Sequence, residues 1–355
     1  MENFKISIIV PVYNSSFSLS ACIKSISSQT FSKPFEIIFI DDGSTDDSLD
    51  VIKKNKLING HCYKLNKNSG PATARNYGLS KSRGEYIFFL DADDEIEPNT
   101  LSYLYEKAIE GDYDLVFSDK KRIEKKINQK KNNYFFNNNQ VFNRKDILSE
   151  LKKRFYDPLY IGGIVGITGR LIRRSVIINN SLKFVEKLRF LEDDTFSYDL
   201  LSSVKKVFYL KEQLYIYNIN PNLETGISKG ISHNLSITNY KIVKDHLFNA
   251  LKNLGLKNDE VKTISDQAFI YIIIKALISF SRSIILKKID FKKGQEIKKI
   301  FIYNIVSDQE VLKTIKNYKI SNNESFLIPK AIKWRSQFLL KIASELRAKK
   351  ILKIR

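Results

Sequence analysis

The chain has 355 residues and carries 59 lysines and arginines against 39 aspartates and glutamates, a formal net charge of +20. Its length suits about two domains, and the positive excess points to a polyanionic partner such as nucleic acid, an anionic membrane or a phosphorylated substrate, unless it only reflects a lysine- and asparagine-rich composition. The longest apolar runs, around 269–277 and 283–286, are cut by Lys275 and Arg282, and the two cysteines, Cys22 and Cys62, make no metal-binding pattern, so an integral membrane protein and a cysteine-built metal site are the classes excluded.

Residues 6–10, Ile-Ser-Ile-Ile-Val, are a largely β-branched run that halts at Pro11, which predicts a central strand leading into the loop Pro11-Val12-Tyr13-Asn14. Leu19, Cys22, Ile23 and Ile26 recur at helical spacing over 18–28. The next strand, 36–40, ends at Asp41-Asp42-Gly43-Ser44-Thr45-Asp46. There Gly43 permits a tight turn, and Ser44 or Thr45 can cap a helix over 46–54. A short strand near 62–65 and a polar loop over 66–70 precede a helix that opens at Pro71 and closes near Gly78.

The run Gly84-Glu85-Tyr86-Ile87-Phe88-Phe89-Leu90 then ends at Asp91-Ala92-Asp93-Asp94. A helix from Glu97 and a strand over 114–118 follow. Residues 120–139 show little apolar periodicity and predict a mobile surface loop or hairpin. Beyond a helix over 144–154, the glycine-dotted stretch 161–166 permits close approach of a ligand or of backbone. A second acidic cluster, Glu192-Asp193-Asp194, opens a helix through 198–201, and two short strands follow at 206–210 and 214–217. From about Ile231 the texture turns helical and basic, which places a boundary near Gly230 and divides the chain into 1–230 and 231–355.

Alternating strands and helices argue for a Rossmann-like, mostly parallel α/β sheet flanked by helices, with a helical C-terminal region. Three strands end at Asn14, Asp41-Asp42 and Asp91 to Asp94, so these loops share one sheet edge, where open α/β sheets bind ligands. Three carboxylates within four positions repel one another unless a cation relieves them, and that predicts a divalent-metal site.

Taken together, these segments resemble the family 2 glycosyltransferases of the GT-A fold, of the type that builds bacterial surface polysaccharide. The resemblance rests on Ile8-Ile9-Val10-Pro11-Val12-Tyr13-Asn14, Ile40 to Asp46, Gly70-Pro71-Ala72-Thr73-Ala74-Arg75-Asn76, Asp91 to Asp94 and Glu192-Asp193, in that order, and covers about residues 5–220. It implies an inverting, metal-dependent transfer of a hexose or N-acetylhexosamine from a nucleotide sugar, UDP-linked by expectation, to a hydroxyl of a surface glycan such as capsule or lipooligosaccharide. Pro11 and Tyr13 would open the nucleotide pocket, Asp41 or Asp42 would accept from the uracil imide, and Arg75 would lie near base and diphosphate. The segment Asp91-Ala92-Asp93 would bind ribose and, through Mn²⁺ or Mg²⁺, the diphosphate. Asp93 would contact the metal, with Asp91, Asp94 and His233 as alternates. Asp193 would be the catalytic base, with Glu192 and Asp194 as alternates.

Plain structural uses compete with several of these roles. Asp41 to Ser44 can serve only as a capping turn, Arg75 can be a solvated helix residue, and Glu192 to Asp194 can simply complement a helix dipole. A nucleotidyltransferase or other metal–nucleotide enzyme is the alternative function. It is disfavoured because no lysine-bearing phosphate loop is present. A nucleic-acid binder would account for the charge but leave the acidic loops unexplained.

Residues 330–355 hold nine basic side chains against the single acid Glu345. Ile332, Phe338, Leu339, Ile342, Leu346 and Ile351 can gather on one helical face with Trp334 at its margin, the pattern of a helix lying on an anionic membrane. With no secretory signal at the N-terminus and a reduced complement of cysteines, the expected location is cytoplasmic, peripheral on the inner face of the membrane.

Overall fold

A computed structural model describes residues 3–55, 59–124, 134–156, 163–219, 235–320 and 324–353. The chain divides into two compact units. Met1–Ile147, Gly162–Glu186 and Glu192–Pro221 make the first, and Leu148–Ile161, Lys187–Leu191 and Asn222–Arg355 the second. Gly230, where the change of texture falls, lies outside the described residues.

Along the chain run β1 (Ile6–Val12), α1 (Leu19–Ser27), β2 (Phe35–Asp41), α2 (Ser48–Lys54), β3 (Gly60–Lys64), α3 (Pro71–Lys81), β4 (Tyr86–Phe89), β5 (Glu95–Ile96), α4 (Thr100–Glu110), β6 (Leu115–Glu124), β7 (Gln140–Phe142), α5 (Arg144–Tyr156), β8 (Arg170–Arg173), α6 (Arg174–Asn179), α7 (Glu192–Ser203) and β9 (Val207–Ile219). One nine-stranded sheet in the order β3-β2-β1-β4-β8-β6-β9-β5, with β7 beside β9, is the frame of the first unit. Its first four strands are parallel, with Ile6 opposite both Phe35 and Tyr86. β8 runs against β4 and β6, so the far half is mixed. Because β1, β2 and β4 are parallel and in step, their acidic or polar carboxyl ends do lie at one edge. Ile8, Val10, Phe39 and Phe88 pack with Leu19, Ile23 and Ile26 of α1 in a single core on one sheet face.

Three local expectations are corrected. β1 does not stop at Pro11 but continues to Val12, opposite Ile40 and Asp41. β4 leaves β1 after Ile9, so the missing N–H of Pro11 removes nothing from a second ladder. β6 runs through Glu124, so residues 120–124 of the predicted loop are strand; 125–133 lie outside the described residues. The two strands expected at 206–210 and 214–217 are one, β9, which pairs with β6 across register shifts at Ser118–Lys120. A bulge absorbs the polar interruption Lys211-Glu212-Gln213 without ending the strand.

Neither Ser44 nor Thr45 caps α2. The Ser44 hydroxyl accepts the Asn14 N–H at 3.0 Å, and Asp46 accepts the N–H groups of Ser16 at 3.0 Å and Ser48 at 3.1 Å. Some desolvation pushes the Asp46 carboxyl upward, but the bonds from Ser48 and Ser16 prevail and hold it at about 2 against an ordinary 3.8. A depressed carboxyl contributes stability that is complete above its unfolded value and is lost as pH falls through its folded one. Asp46→Asn is therefore expected to cost about 1 kcal/mol near neutrality, the scale of a lost cap. The difference from the parent should shrink as pH drops from 3.8 toward 2, which denaturant midpoints at several pH values would measure.

The second unit holds α8 (Ile237–Asn253), α9 (Asn258–Ile285), α10 (Phe291–Ser307), α11 (Gln309–Thr314), α12 (Leu327–Lys333) and α13 (Gln337–Lys353). By length and composition α9 could cross a membrane, contrary to the reading that Lys275 and Arg282 break it too often. It is a core helix here: two-thirds of its most apolar window is buried, with Phe269, Ile273 and Leu277 packed among Tyr240, Phe301 and Ile305. The single amphipathic helix expected after Lys330 is instead two. α12 ends at Lys333 with Trp334 as its C-cap, and Arg335 takes a positive φ of 52° before α13 begins. Ile332 is wholly buried, so it leaves the exposed face to which it was assigned.

Candidate active site

At the carboxyl edge of β1, β2 and β4, backbone and carboxylates build a rigid platform. Asp42, at the end of β2, accepts the N–H groups of Ser69 and Gly70, each at 2.7 Å, and so clamps the loop that opens α3. Gly43 sits at φ +72°, where a Cβ would lie 2.8 Å from the Asn68 nitrogen; only glycine fits this crossing. Asp41 is buried. Its Oδ1 accepts the Ser44 N–H at 3.2 Å, while Oδ2 has no hydrogen-bond partner among the described residues. Tyr13 stands half-exposed just past β1, and Pro11 is part-buried within it.

The centre is Arg75. Far from being a solvated helix residue, it is buried on α3 and spans two acids: Nη2 donates to Asp91 Oδ1 and Nη1 to Glu192 Oε1, both at 2.9 Å. Burial works against its charge, but the Asp91 and Glu192 carboxylates hold its pKa above the ordinary value. Arg75 thus joins the end of β4 to the first turn of α7, and Glu192 lies 117 residues beyond it in sequence. Burial, then Asp193, push the Glu192 carboxyl up, and the Arg75 guanidinium opposes them. Glu192 to Asp194 do open a helix, as the plain reading has it. Asp193 there is part-buried, with Oδ1 accepting the Asp194 N–H at 2.9 Å and its carbonyl accepting the Ser197 hydroxyl at 2.6 Å. Ser197 Oγ in turn accepts the N–H of Gly166 at 3.0 Å, which fastens the glycine-dotted stretch to α7.

Asp91 to Asp94, which follow β4, divide their work. Ala92 is buried, and its carbonyl accepts from Ser18 at 3.0 Å. Asp94 is buried and committed: Oδ2 accepts from the Tyr215 hydroxyl at 2.7 Å and Oδ1 from the Asn218 N–H at 3.0 Å. Burial, with Asp91 and Asp93 beside it, pushes its carboxyl well up. Asp94 therefore anchors the loop to β9 and is poorly placed as an alternate metal contact. Asp93 projects to solvent. Although its side chain reaches solvent, desolvation by the protein around its carboxyl, then Asp91, push that carboxyl up to about 6, and a cation would relieve the Asp91 repulsion. His233 lies outside the described residues.

Three participants carried no usable signal in the chain. Tyr215 and Asn218 of β9 fix the acidic loop, with Asn218 Nδ2 also reaching the Asp93 carbonyl at 3.1 Å. Lys120 of β6 donates to Thr168 Oγ1 at 2.5 Å and lies over the Tyr215 ring at 5.1 Å. Burial, then Arg170, press the Lys120 ammonium down to about 8, while Asp91, Asp94 and Asp193 pull it back up. It is a cation facing both acidic clusters, hidden in the sequence inside a lysine-rich stretch.

A family model described as glycosyl transferase family 2 matches residues 7–178. The poly(ribitol-phosphate) beta-N-acetylglucosaminyltransferase TarP of Staphylococcus aureus is 32% identical over 262 residues, 72% of this chain and 75% of that protein. The cholesterol galactosyltransferase of Borreliella burgdorferi is 29% identical over 268 residues, 72% and 73% of the two chains. Among solved structures, S. aureus TarS 1–349 in complex with UDP-GlcNAc superposes with a TM-score of 0.68 at 20% identity, covering 98% of this chain and 92% of that one.

Proposed function

The chain belongs to glycosyl transferase family 2 and has the GT-A arrangement of its sheet, and on that footing we propose that it moves a hexose or N-acetylhexosamine from a UDP-linked sugar to a hydroxyl of a bacterial surface glycan, with inversion at the anomeric carbon. The observation that carries this reading is the Arg75 bridge, which draws the Asp91–Asp93 segment and the Glu192–Asp193 segment into one site. The UDP-GlcNAc complex of TarS supports the choice of nucleotide.

Tyr13 and Pro11 would flank the nucleoside. Asp41, with Oδ2 unused, is the better acceptor for the uracil imide, since both oxygens of Asp42 already hold backbone N–H groups. A divalent cation fits the acidic loop. Asp93 is open to solvent, and no group of three metal-ligating side chains gathers among the described residues. Mg²⁺ or Mn²⁺ bound here by one or two carboxylates would draw its other ligands from donor phosphates and water, and when bound it supplies charge neutralisation for the leaving diphosphate. Asp93 would hold it, with Asp91 as second ligand. Arg75 keeps Asp91 oriented. Asp193 takes the proton of the acceptor hydroxyl as that oxygen bonds to the anomeric carbon. The bond from that carbon to the diphosphate oxygen breaks, and its electron pair leaves with UDP.

Thermal denaturation across a set of nucleotide sugars tests this reading. A UDP-sugar at a hundred times its Kd with Mn²⁺ should stabilise the fold by about 2.7 kcal/mol, and Asp93→Asn should remove the metal-dependent part. No stabilisation by any UDP-sugar, or release of pyrophosphate in place of UDP, would sink the assignment.

A further inference from the structure

The last helix carries apolar side chains on two faces. α13 turns Leu340, Ala343, Ser344 and Ala348 inward against its own unit, none more than 4% exposed. On another face Phe338, Ile342 and Leu346 follow at i, i+4 and i+8, and all three are exposed, Phe338 by 72% and Leu346 by 55%. Trp334, 66% exposed, stands at the turn just before the helix. Large apolar side chains held open in this way are the mark of a docking surface.

The charge around this face selects the partner. Arg335, Lys341, Lys349 and Lys350 are exposed on the same turn and helix. The one acid of the stretch, Glu345, is already held at 3.0 Å by Lys298, a lysine buried to 1% exposure. The corner therefore presents apolar anchors among cations that pair with no acid among the described residues. We infer that Trp334, Phe338, Ile342 and Leu346 enter the headgroup layer of an anionic lipid bilayer, while the flanking lysines meet the lipid phosphates. A second copy of this chain is the poorer occupant, because joining like faces would press two cationic clusters together. The inference does not depend on which donor the first unit binds.

Trp334 is the only tryptophan, so its emission reports directly on the proposed contact. The full chain is mixed with vesicles of phosphatidylcholine alone or of phosphatidylcholine with phosphatidylglycerol, then sedimented. Partition and a blue shift of the tryptophan emission are expected with the mixed vesicles only. Phe338→Ser with Leu346→Ser should weaken partition at least about tenfold, and so should Lys341→Glu with Lys349→Glu and Lys350→Glu. These side chains are exposed, so the melting transition should not move, and two chemically different variants guard against one misfolding. Absence of partition, equal partition to neutral vesicles, or binding indifferent to both variants would overturn the inference. So would a concentration-dependent oligomer dispersed by Phe338→Ser while vesicle binding stays unchanged.

Discussion

Asp193→Asn is expected to lower the rate of sugar transfer by about 10²–10⁴-fold, the range associated with a positioned general base, while leaving donor binding and stability in place. The amide oxygen of Asn can still accept the Asp194 N–H that Asp193 Oδ1 accepts at 2.9 Å, and the Ser197 hydroxyl bonds the backbone carbonyl, which the change does not touch. The substitution removes basicity and little else. Glu192→Gln should behave differently, because Glu192 is one arm of the Arg75 bridge; its main effect should be on stability. Turnover with the donor saturating, set beside denaturant midpoints, separates the two. Full turnover in Asp193→Asn, with loss in Asp194→Asn or a rate-only loss in Glu192→Gln, would move the base to that residue.

Arg75→Met should be the most damaging single change to the first unit. It leaves Glu192 and Asp91 facing one another without their shared cation, and breaking such a buried arrangement costs about 3 kcal/mol or more. The Asp91 arm is about a third exposed, with 32% of its side-chain surface reaching solvent, so most of the cost falls on the Glu192 arm. Arg75→Lys should not rescue it, since a compact ammonium cannot reproduce a planar fork bonded to two carboxylates. Adding Glu192→Leu to Arg75→Met should recover part of the stability and none of the activity. Trp334 lies in the second unit, so its fluorescence serves as an internal reference while circular dichroism follows the whole chain. A double variant with restored turnover would show that the bridge is only scaffolding.

Much of the first unit can be read from local chemistry. Ile8 to Val10, Ile37 to Ile40 and Ile87 to Leu90 are apolar on both faces, and strands of that kind are buried in a parallel sheet. Their polar ends then fall at one edge by geometry alone. What local chemistry cannot carry is pairing at a distance. The family resemblance singles out Arg75, but nothing local in the chain shows that it bridges Glu192 and Asp91. Asp94 looks like a third metal carboxylate until Tyr215 and Asn218 take both its oxygens. Lys211-Glu212-Gln213 reads as a break between two strands because a bulge has no period of its own. The same limit held at the C-terminal end, where one hydrophobic pattern covered a buried Ile332 and an exposed Phe338 that the turn at Arg335 sends to different surroundings.

The latch between the acidic loop and β9 also sets a clock. Tyr215 reaches Asp94 across 121 residues and Asn218 reaches Asp93 across 125. At about 5–20 residues per second on the ribosome, roughly 6–25 s pass between synthesis of the loop and synthesis of the strand that holds it. During that interval the crowded carboxylates lack their far anchor, and Arg75 lacks Glu192 until late in it. Closing so long a span is also the slow kind of β pairing. The carboxyl edge of β1, β2 and β4 can thus take shape early, but the proposed site is completed late in folding, since its acidic loop stays unanchored until β9 has joined the sheet.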